Sequence, residues 1–318
     1  MRRDWPATAV DYQSTVTKAL LGLGGVDLAR SCEADPGRRA GVVRPALDQL
    51  GLLDLDPWGD EEESAAVVLG VRAAGAVVLP WPVVHTLAVP PDSRPVVDGL
   101  FLTAGPAARL DHADLFTSAV AASLVTDTVF RVSPGSPRPA PLDPFASSVT
   151  LDHVAASIDV RSSTAMHLVL DAFWVTGALS TAASLAVSHA RDREQFGRPI
   201  GKFGEIRWRL ADTLVAVDGL AELALHAWWL LRHDAAGTAD LLALRLQMLE
   251  SAEVVLSNAH QILGAMGLCD EHDVSVIDRH LQPVLHRPSG LLATTDLLAQ
   301  AVAADGFAAT YPVPALDT

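Results

Sequence analysis

The sequence predicts an α+β fold in which helical and β segments are segregated along the chain. Three observations carry this prediction. Apolar residues recur at helical spacing up to about residue 93, short β-branched runs follow to about residue 161, and long amphipathic periodicity returns from residue 162. The order corresponds to an N-terminal helical domain (1–93), a small, reduced β-domain (94–161) and a C-terminal helical bundle (162–318).

The N-terminal domain has apolar spacing typical of helices. Leucines at positions 47, 50 and 53 form one stripe. Ser64 is placed to cap a helix that runs through Leu79. Pro80 and Pro82 stop this helix, because proline lacks a backbone N–H. The glycine-rich run at 22–25 is predicted to be a turn, since Asp27 stands where a GxGxxG motif needs its last glycine.

The predicted β-domain consists of short β-branched runs at 117–120, 128–132 and 148–151. Between them, residues 133–144 include five prolines and are predicted to form a loop. The C-terminal bundle follows with a helical stripe at Leu210, Leu214, Val217, Ala221 and Leu225. After Gly237, a new helix is predicted to be capped by Thr238 and Asp240.

The composition excludes several kinds of partner. The formal net charge is −15, which repels the phosphates of nucleic acids and anionic lipid headgroups. The longest apolar stretch, 65–84, is interrupted by Arg72 and two prolines, so no membrane span is expected. The first residues have neither an apolar h-region nor a cleavage site, so the protein is expected in the cytoplasm.

Cysteine and metal-ligand spacing give no further chemistry. Cys32 and Cys269 are far apart in the sequence and predict two reduced, buried thiols. Adjacent side chains in the acidic cluster at 270–273 point in different directions, so no metal is expected. The sequence has no GxxxxGK[ST], HExxH or GxSxG motif, which removes the main support for the common NTPase and hydrolase classes.

Two segments of the C-terminal bundle carry a specific pattern. The first is ARDREQFGRPIGKFGEI (190–206), followed by RLAD at 209–212, and the second is HQILGAMGLCDEH (260–272). They resemble the flavin-binding signature RxQFGxPIxxFQ and the HQxxGGxGxxxEH/Y stretch of acyl-CoA dehydrogenases. Weaker resemblance at 46–55 (ALDQLGLLDL) and 72–82 (RAAGAVVLPWP) extends the similarity over most of the chain.

The residues of the first motif suit a flavin nucleotide. Arg193 can make a bidentate contact with a pyrophosphate, Phe196 can pack on an aromatic ring, and Gly197 allows a close backbone turn. The resemblance implies that such residues contact the FAD of a neighbouring subunit, here Arg193, Gln195, Phe196, Ile200, Phe203, Gln261, Gly264 and Ala265. The alternative is that Arg193 and Glu194 end a solvated helix and Phe196 belongs to the core.

The chain departs from the family pattern at the catalytic base. Members that work alone have a glutamate that removes the α-proton, and counting from the two motifs places Pro288 and His167 at its two known locations. Neither is a carboxylate, and a missing base costs orders of magnitude in rate. Asp171, one helical turn from His167, and Glu271 are the candidate substitutes.

Other departures concern the cofactor site. Gly204 replaces the glutamine after Phe203, and Ala265 replaces the second glycine of the HQxxGG stretch. The middle domain is also short, and its usual flavin-facing stretches are not recognisable. Such chains resemble the smaller subunits of actinobacterial α2β2 acyl-CoA dehydrogenases, which oxidise steroid-derived CoA thioesters.

The resemblance therefore implies a subunit that completes the FAD site of a longer homologue within an α2β2 heterotetramer. Its ligands would be FAD, an acyl-CoA and an electron-transfer acceptor. Two alternatives stay open. One is a self-sufficient homo-oligomeric dehydrogenase that uses Asp171 or Glu271 as its base, and the other is a non-catalytic scaffold subunit that does not touch FAD.

Overall fold

The α+β order predicted from the sequence is confirmed. A computed structural model describes residues 4–105, 107, 109–124, 126, 128–155 and 158–307. In these ranges the α-helices are α1 (Ala7–Gly22), α2 (Val26–Ala34), α3 (Arg44–Leu50), α4 (Glu61–Ala76), α5 (Val83–Leu87), α6 (Val160–Asp192), α7 (Gly204–Arg232), α8 (Thr238–Leu263), α9 (Asp273–His286) and α10 (Leu291–Asp305). The strands are β1 (Leu100–Thr103), β2 (Arg109–Asp111), β3 (Val120–Ser123), β4 (Val129–Pro137), β5 (Ala146–Val154), β6 (Glu194–Gln195) and β7 (Arg198–Pro199).

Helix α4 begins earlier than the sequence predicts. Its N-cap is Asp60, whose side chain accepts a hydrogen bond from the backbone N–H of Glu63. The predicted cap, Ser64, lies inside the helix, and its buried hydroxyl donates to the carbonyl of Pro57. The predicted cap was one turn too late. The glutamates at 61–63 favour a first helical turn, because negative charge is stabilising at a helix N-terminus. The helix also ends at Ala76, before Leu79.

The leucine stripe of the N-terminal domain is divided between two elements. Leu47 is fully buried on α3, but the helix ends at Leu50, where Gly51 takes a left-handed φ of 65°. Leu53 therefore lies in a short 3-10 turn beyond the helix. The run at 22–25 forms the turn between α1 and α2, as predicted.

The β-sheet has the strand order β1-β3-β4-β5-β2. Strands β1 and β3 are parallel, and the other neighbouring pairs are antiparallel. The loop prediction is wrong for residues 133–137, which continue β4. Beyond Val132 this strand pairs only with β5 among the described residues, so its prolines lie on a free edge where a missing N–H costs no ladder bond.

Strand β3 overlaps the predicted run 117–120 only at Val120. Thr117 and Ser118 form a bend instead, because their backbone N–H groups donate to the carboxylate of Asp98. Strands β1 and β2 were not predicted from the sequence, since each is a short run without a clear alternation of apolar and polar residues.

Helix α6 runs through the centre of the molecule and packs against α4, α7 and α8. Its contact with α4 brings the two backbones together. A Cβ on Gly75 would lie 1.9 Å from the carbonyl oxygen of Trp174, and one on Gly177 would lie 2.0 Å from that of Arg72. Glycine is therefore required at both crossing points, because any side chain would separate the helices.

The buried stripe of α7 differs from the predicted one. Val217 and Leu225 are buried, as predicted, but Leu214 is 47% exposed. The face that packs against the bundle is rotated by about one residue and contains Thr213, Val217, Leu220, Ala224 and Trp228. The predicted cap of α8 is present, since the backbone N–H of Gly237 donates to Asp240 Oδ2 at 2.9 Å.

Two helices are long and apolar enough, by length and composition alone, to cross a bilayer. Among the described residues they are α6 and α7, and the stretch at 65–84 is not one of them. In α6, 78% of the apolar window is buried inside the chain, as in the core helix of a folded domain. In α7 the buried share is 39%, because residues such as Trp208 and Val215 face outward.

Candidate functional site

The first motif forms a tight hairpin after α6. Strands β6 and β7 pair through Glu194↔Pro199 and Gln195↔Arg198. The two residues between them, Phe196 and Gly197, have φ values of 54° and 77°, as in the two-residue turns that match the twist of a hairpin. Phe196 is 90% exposed at the tip. The alternative that Phe196 is a core residue is thus wrong.

The hairpin is anchored to the first turn of α7. The N–H of Ile200 donates to the carbonyl of Arg193 at 2.8 Å. Phe203 lies between two partners, the ring of Phe196 at 6.1 Å and the guanidinium of Arg198 at 4.3 Å from its centroid. The edge-to-face contact with Phe196 and the cation–π contact with Arg198 together fix the orientation of the Phe203 ring.

Cations are concentrated on this hairpin in an otherwise acidic protein. Residues 190–209 contain six Lys or Arg residues and three Asp or Glu residues. Two of the arginines pair with neighbouring carboxylates, Arg191 with Asp192 and Arg209 with Glu205. Among the described residues, no carboxylate partner is found for the remaining four cations, Arg193, Arg198, Lys202 and Arg207. The arrangement suits an anion such as a pyrophosphate.

The second motif ends α8 and lies beside the first. Arg209 Nη1 donates to Asn258 Oδ1 at 3.0 Å, and Asn258 Nδ2 donates back to the carbonyl of Arg209 at 3.2 Å. One turn later, Gln261 is exposed, and Gly264, with φ of 58°, begins an exposed 3-10 turn that includes Ala265. Six of the eight residues assigned to the cofactor are therefore exposed, and the other two, Ile200 and Phe203, are partly buried.

Other residues of this end were expected differently. Cys269 is exposed, so the prediction of two buried thiols holds only for Cys32. His189, near the end of α6, lies close enough to both motifs that burial, followed by the charges of Arg193 and His272, lowers its pKa. This histidine was not singled out from the sequence because it has no motif of its own.

The two positions that the resemblance gives to a catalytic base meet at one cavity elsewhere in the chain. His167 and Pro288 both line it, together with Asp171, His85 and Asp111. Its volume is about 20 Å³, enough for about one water molecule. Sites for organic ligands typically have roughly 300 Å³ or more. This cavity is therefore too small for an acyl chain, although a neighbouring cavity of about 360 Å³ lies on the other side of Arg287 and Pro288.

Asp171 is buried at this cavity on α6. Its Oδ2 lies 3.2 Å from His167 Nδ1, but the angle is unsuitable and neither ring nitrogen of His167 makes a hydrogen bond among the described residues. The charge of Asp171 also acts on the buried Arg245. It raises the pKa of Arg245, but burial has the larger effect and lowers that pKa to about 10. Asp171 is placed where a base would stand, but within a closed interior.

Arg287 also lines this cavity. Its Nη2 donates to Asp111 Oδ1 at 2.7 Å and to Asp143 Oδ2 at 3.2 Å. Burial alone would raise the pKa of Asp111, but the charges of Arg287, His85 and His112, together with the hydrogen bond from Arg287, outweigh it and hold that pKa well below its usual range. Burial, followed by repulsion from His167, lowers the pKa of His85 to about 4. His85, Asp111 and Arg287 belong to no sequence motif, so they could not be predicted for this cavity.

Glu271, the other candidate base, lies at the opposite end of α9. It is exposed on the turn before Asp273, next to the second motif. Helix α9 has 14 residues and so spans about 20 Å, and its far end carries Val284 and Arg287 at the cavity. The structure therefore separates Glu271 from Asp171 and from the position of the base.

Parts of the chain are similar in sequence to known proteins. Residues 162–284 match the family described as acyl-CoA dehydrogenase, C-terminal domain. The probable acyl-CoA dehydrogenase YngJ of Bacillus subtilis is 32% identical over 98 residues, which are 31% of this chain and 26% of that protein. The acyl-CoA dehydrogenase IpdE2 of Mycobacterium tuberculosis is 25% identical over 290 residues, covering 82% of this chain and 87% of that protein.

Solved structures share the fold over nearly the whole chain. The ChsE4-ChsE5 complex of Mycobacterium tuberculosis superposes with a TM-score of 0.78 at 16% identity and covers 96% of this chain and 99% of that one. The Tcur3481-Tcur3483 steroid ACAD variant gives a TM-score of 0.75 at 17% identity, covering 93% and 97%. The fold is that of the acyl-CoA dehydrogenases. Residues 162–284 thus resemble the C-terminal domain of acyl-CoA dehydrogenases, and most of the chain resembles IpdE2.

Proposed function

We propose that this chain is the smaller subunit of a flavin-dependent acyl-CoA dehydrogenase and completes the FAD site of a longer homologous partner in an α2β2 complex. One contrast supports the proposal. The residues assigned to the cofactor project from one end of the bundle, whereas the cavity at the base position is nearly filled by the chain's own side chains. A subunit so arranged offers its cofactor contacts outward, while the cavity around His167 and Asp171 is too small for an acyl chain.

The hairpin would supply the contacts to the flavin nucleotide. Arg193 and Arg198 would face the pyrophosphate. Among the described residues neither is paired with a carboxylate, so both are available to bind its negative charges. The exposed Phe196 would pack on an aromatic ring, and its exposed surface is a reason for a partner to cover it. Gln261 and the exposed backbone at Gly264 would add hydrogen-bonding groups from the second motif.

The partner would hold the base in this scheme. Pro288 cannot take a proton, and His167 and Asp171 are shut inside the molecule, so the α-proton of the CoA thioester would go to a carboxylate of the longer subunit. FAD, when bound, supplies the hydride-accepting chemistry that makes the α,β-unsaturated thioester. A steroid-derived acyl group is the favoured substrate, and the structural likeness to a steroid ACAD supports it.

Flavin content and mass provide the test. The chain is expressed alone and with a longer homologue, and flavin absorbance is compared with the mass from light scattering. We expect flavin only in a stable α2β2 assembly. Arg193→Ala in the complex is expected to release flavin, whereas Arg191→Ala, an exposed neighbour that is already paired with Asp192, is expected to retain it. Unchanged flavin content with Arg193→Ala would instead favour a non-catalytic scaffold.

One observation favours a second candidate, a self-sufficient homo-oligomeric dehydrogenase. Asp171 does line the cavity at the position of the base, next to His167. If the cavity opened on substrate binding, Asp171 could act as the base. A yellow homo-oligomer with turnover that Asp171→Asn abolishes would establish this candidate and overturn the heterotetramer.

A further inference from the structure

His260, the first residue of the second motif, faces a hydrogen-bond acceptor with each ring nitrogen. It lies in the last turn of α8. Its Nδ1 is 2.7 Å from the carbonyl oxygen of Gly267, and its Nε2 is 3.1 Å from Asp278 Oδ2 on α9. A carbonyl oxygen cannot donate, so Nδ1 must carry a proton for the shorter of the two contacts.

The second contact requires a second proton. A neutral imidazole has one N–H, so its unprotonated nitrogen would point a lone pair at whichever acceptor it faced. The carboxylate of Asp278 is itself held as an acceptor, because its Oδ1 accepts from Gln282 Nε2 at 2.5 Å. The arrangement is satisfied when His260 is an imidazolium that donates from both nitrogens to a carbonyl and a carboxylate.

The same ring fixes the turn that carries the exposed part of the motif. The Gly267 carbonyl also accepts from Ser275 Oγ at 2.8 Å, so donors from α8 and α9 converge on it. A Cβ on Gly267 would lie 3.2 Å from both the Cα and the carbonyl oxygen of His260. A larger residue would press against this backbone. His260 and Gly267 thus form one packed unit beneath the exposed turn Gly264–Leu268.

We propose that His260 is a cationic positioning residue. Held doubly protonated by Asp278, it ties the turn Gly264–Leu268 to α9 and thereby positions the exposed backbone of Gly264 and Ala265. The effect on a bound flavin rests on the proposed function, but the charge state of His260 does not. Among the described residues, Asp278 is the titratable group within hydrogen-bond distance of the ring.

Nitrogen NMR of the complex tests the charge state directly. The full chain is labelled with ¹⁵N-histidine and assembled with its unlabelled partner, and the His260 signals are assigned by their loss in His260→Gln. At pH 7 we expect two protonated ring nitrogens with nearly equal shifts. One protonated and one unprotonated nitrogen would overturn the proposal. This readout needs no flavin, so it stands even if the complex proves not to be a flavoprotein.

The role of Asp278 is tested by Asp278→Asn in the same experiment. Its amide can donate to Nε2, so His260 is expected to become neutral, with the proton on Nδ1 still donated to Gly267. If His260 stays doubly protonated in this variant, the carboxylate is not what holds the charge and the proposal is wrong. His286→Gln serves as the matched control, since His286 is exposed on the same helix and, among the described residues, its ring forms a hydrogen bond only with the carbonyl of Gln282.

Flavin affinity then reports on positioning. In the complex, His260→Ala removes both hydrogen bonds and is expected to weaken flavin binding roughly tenfold or more. Asp278→Asn keeps the turn and is expected to weaken it by only about two- to fivefold, through the lost charge. Equal losses for both variants, or none for His260→Ala in a complex that binds flavin, would refute the positioning role.

Discussion

Arg287 reaches from the end of α9 to Asp111 on β2, with its Nη2 2.7 Å from Asp111 Oδ1. The same guanidinium lies 3.2 Å from Asp143 Oδ2 through each of its terminal nitrogens. Asp111 belongs to the β-sheet, and Arg287 directly follows helix α9 of the C-terminal bundle. This ion cluster therefore joins the sheet to the bundle. It also forms the outer wall of the cavity at the position of the base.

Removing Arg287 is expected to destabilise the chain strongly. Arg287→Met leaves the carboxylates of Asp111 and Asp143 without their main cation, and an uncompensated buried charge costs roughly 3 kcal/mol or more. Urea unfolding measures the loss. Arg44→Met removes an exposed pair with Asp48 and is expected to cost less than about 1 kcal/mol. Similar midpoints for both variants would contradict this account.

Substitution of Arg245 is expected to destabilise the chain as strongly as substitution of Arg287. It is 1% exposed, and its guanidinium donates to four backbone carbonyls around the end of α9, those of Val284, Leu285, Arg287 and Ser289. Arg245→Met would leave these acceptors without a donor, at a cost of roughly 3 kcal/mol or more in unfolding free energy. Arg245→Lys keeps a charge but lacks the planar fork, so it should recover only part of the loss.

The contact between α4 and α6 predicts a strong dependence on one glycine. Gly75→Ala would place a methyl group 1.9 Å from the carbonyl oxygen of Trp174, which forces the helices apart and lowers stability by roughly 1–3 kcal/mol. Gly219→Ala, within α7 and with open space at its Cβ, is the matched control. It should be neutral or stabilising by up to about 1 kcal/mol. Thermal unfolding of the two variants distinguishes the outcomes.

Burial of His85 predicts that stability falls in mild acid. Its folded pKa is lowered to about 4, chiefly by burial and next by the charge of His167, from the ordinary histidine value of 6.5. The unfolded chain therefore takes up the proton first as pH falls, so the stability is fully present above pH 6.5 and is lost towards pH 4, by up to about 3 kcal/mol.

Unfolding free energies at pH 7 and pH 5 measure this loss. His85→Phe, which keeps a ring beside Phe101, is expected to remove the part of the loss that His85 causes, while the buried His112, whose pKa burial also lowers, keeps its own part. The exposed His286 is the control, and His286→Phe should leave the profile unchanged. If His85→Phe retains the full loss between pH 7 and pH 5, another group is responsible.

The sequence predicted the order of elements because that order depends on local periodicity. It placed element boundaries less well where several local signals compete, as at Ser64, which lies one turn inside a helix capped by Asp60. The extension of β4 to Pro137 could not be predicted either. Proline is acceptable there only because that side of the strand has no ladder partner among the described residues, and this depends on the length of β3.

The candidate sites divide in the same way. The flavin motifs are contiguous, so the resemblance could assign Arg193 and Gln261 directly, and their roles stay predictions. The cavity cluster is assembled from His85, Asp111 and Arg287, which are far apart in the sequence and share no motif. Only the fold brings them together, so no local reading of the sequence could have found them.

Helix α6 has 33 residues. Asp171 lies in its first half, and Arg193 directly follows its last residue. The 22 positions between these two residues correspond to about 33 Å along a helix axis. Substitutions that far apart, with no shared partner, change free energies independently. The losses of unfolding free energy from Arg193→Ala and Asp171→Asn should therefore add in a double variant, because the two residues are far apart and share no partner among the described residues.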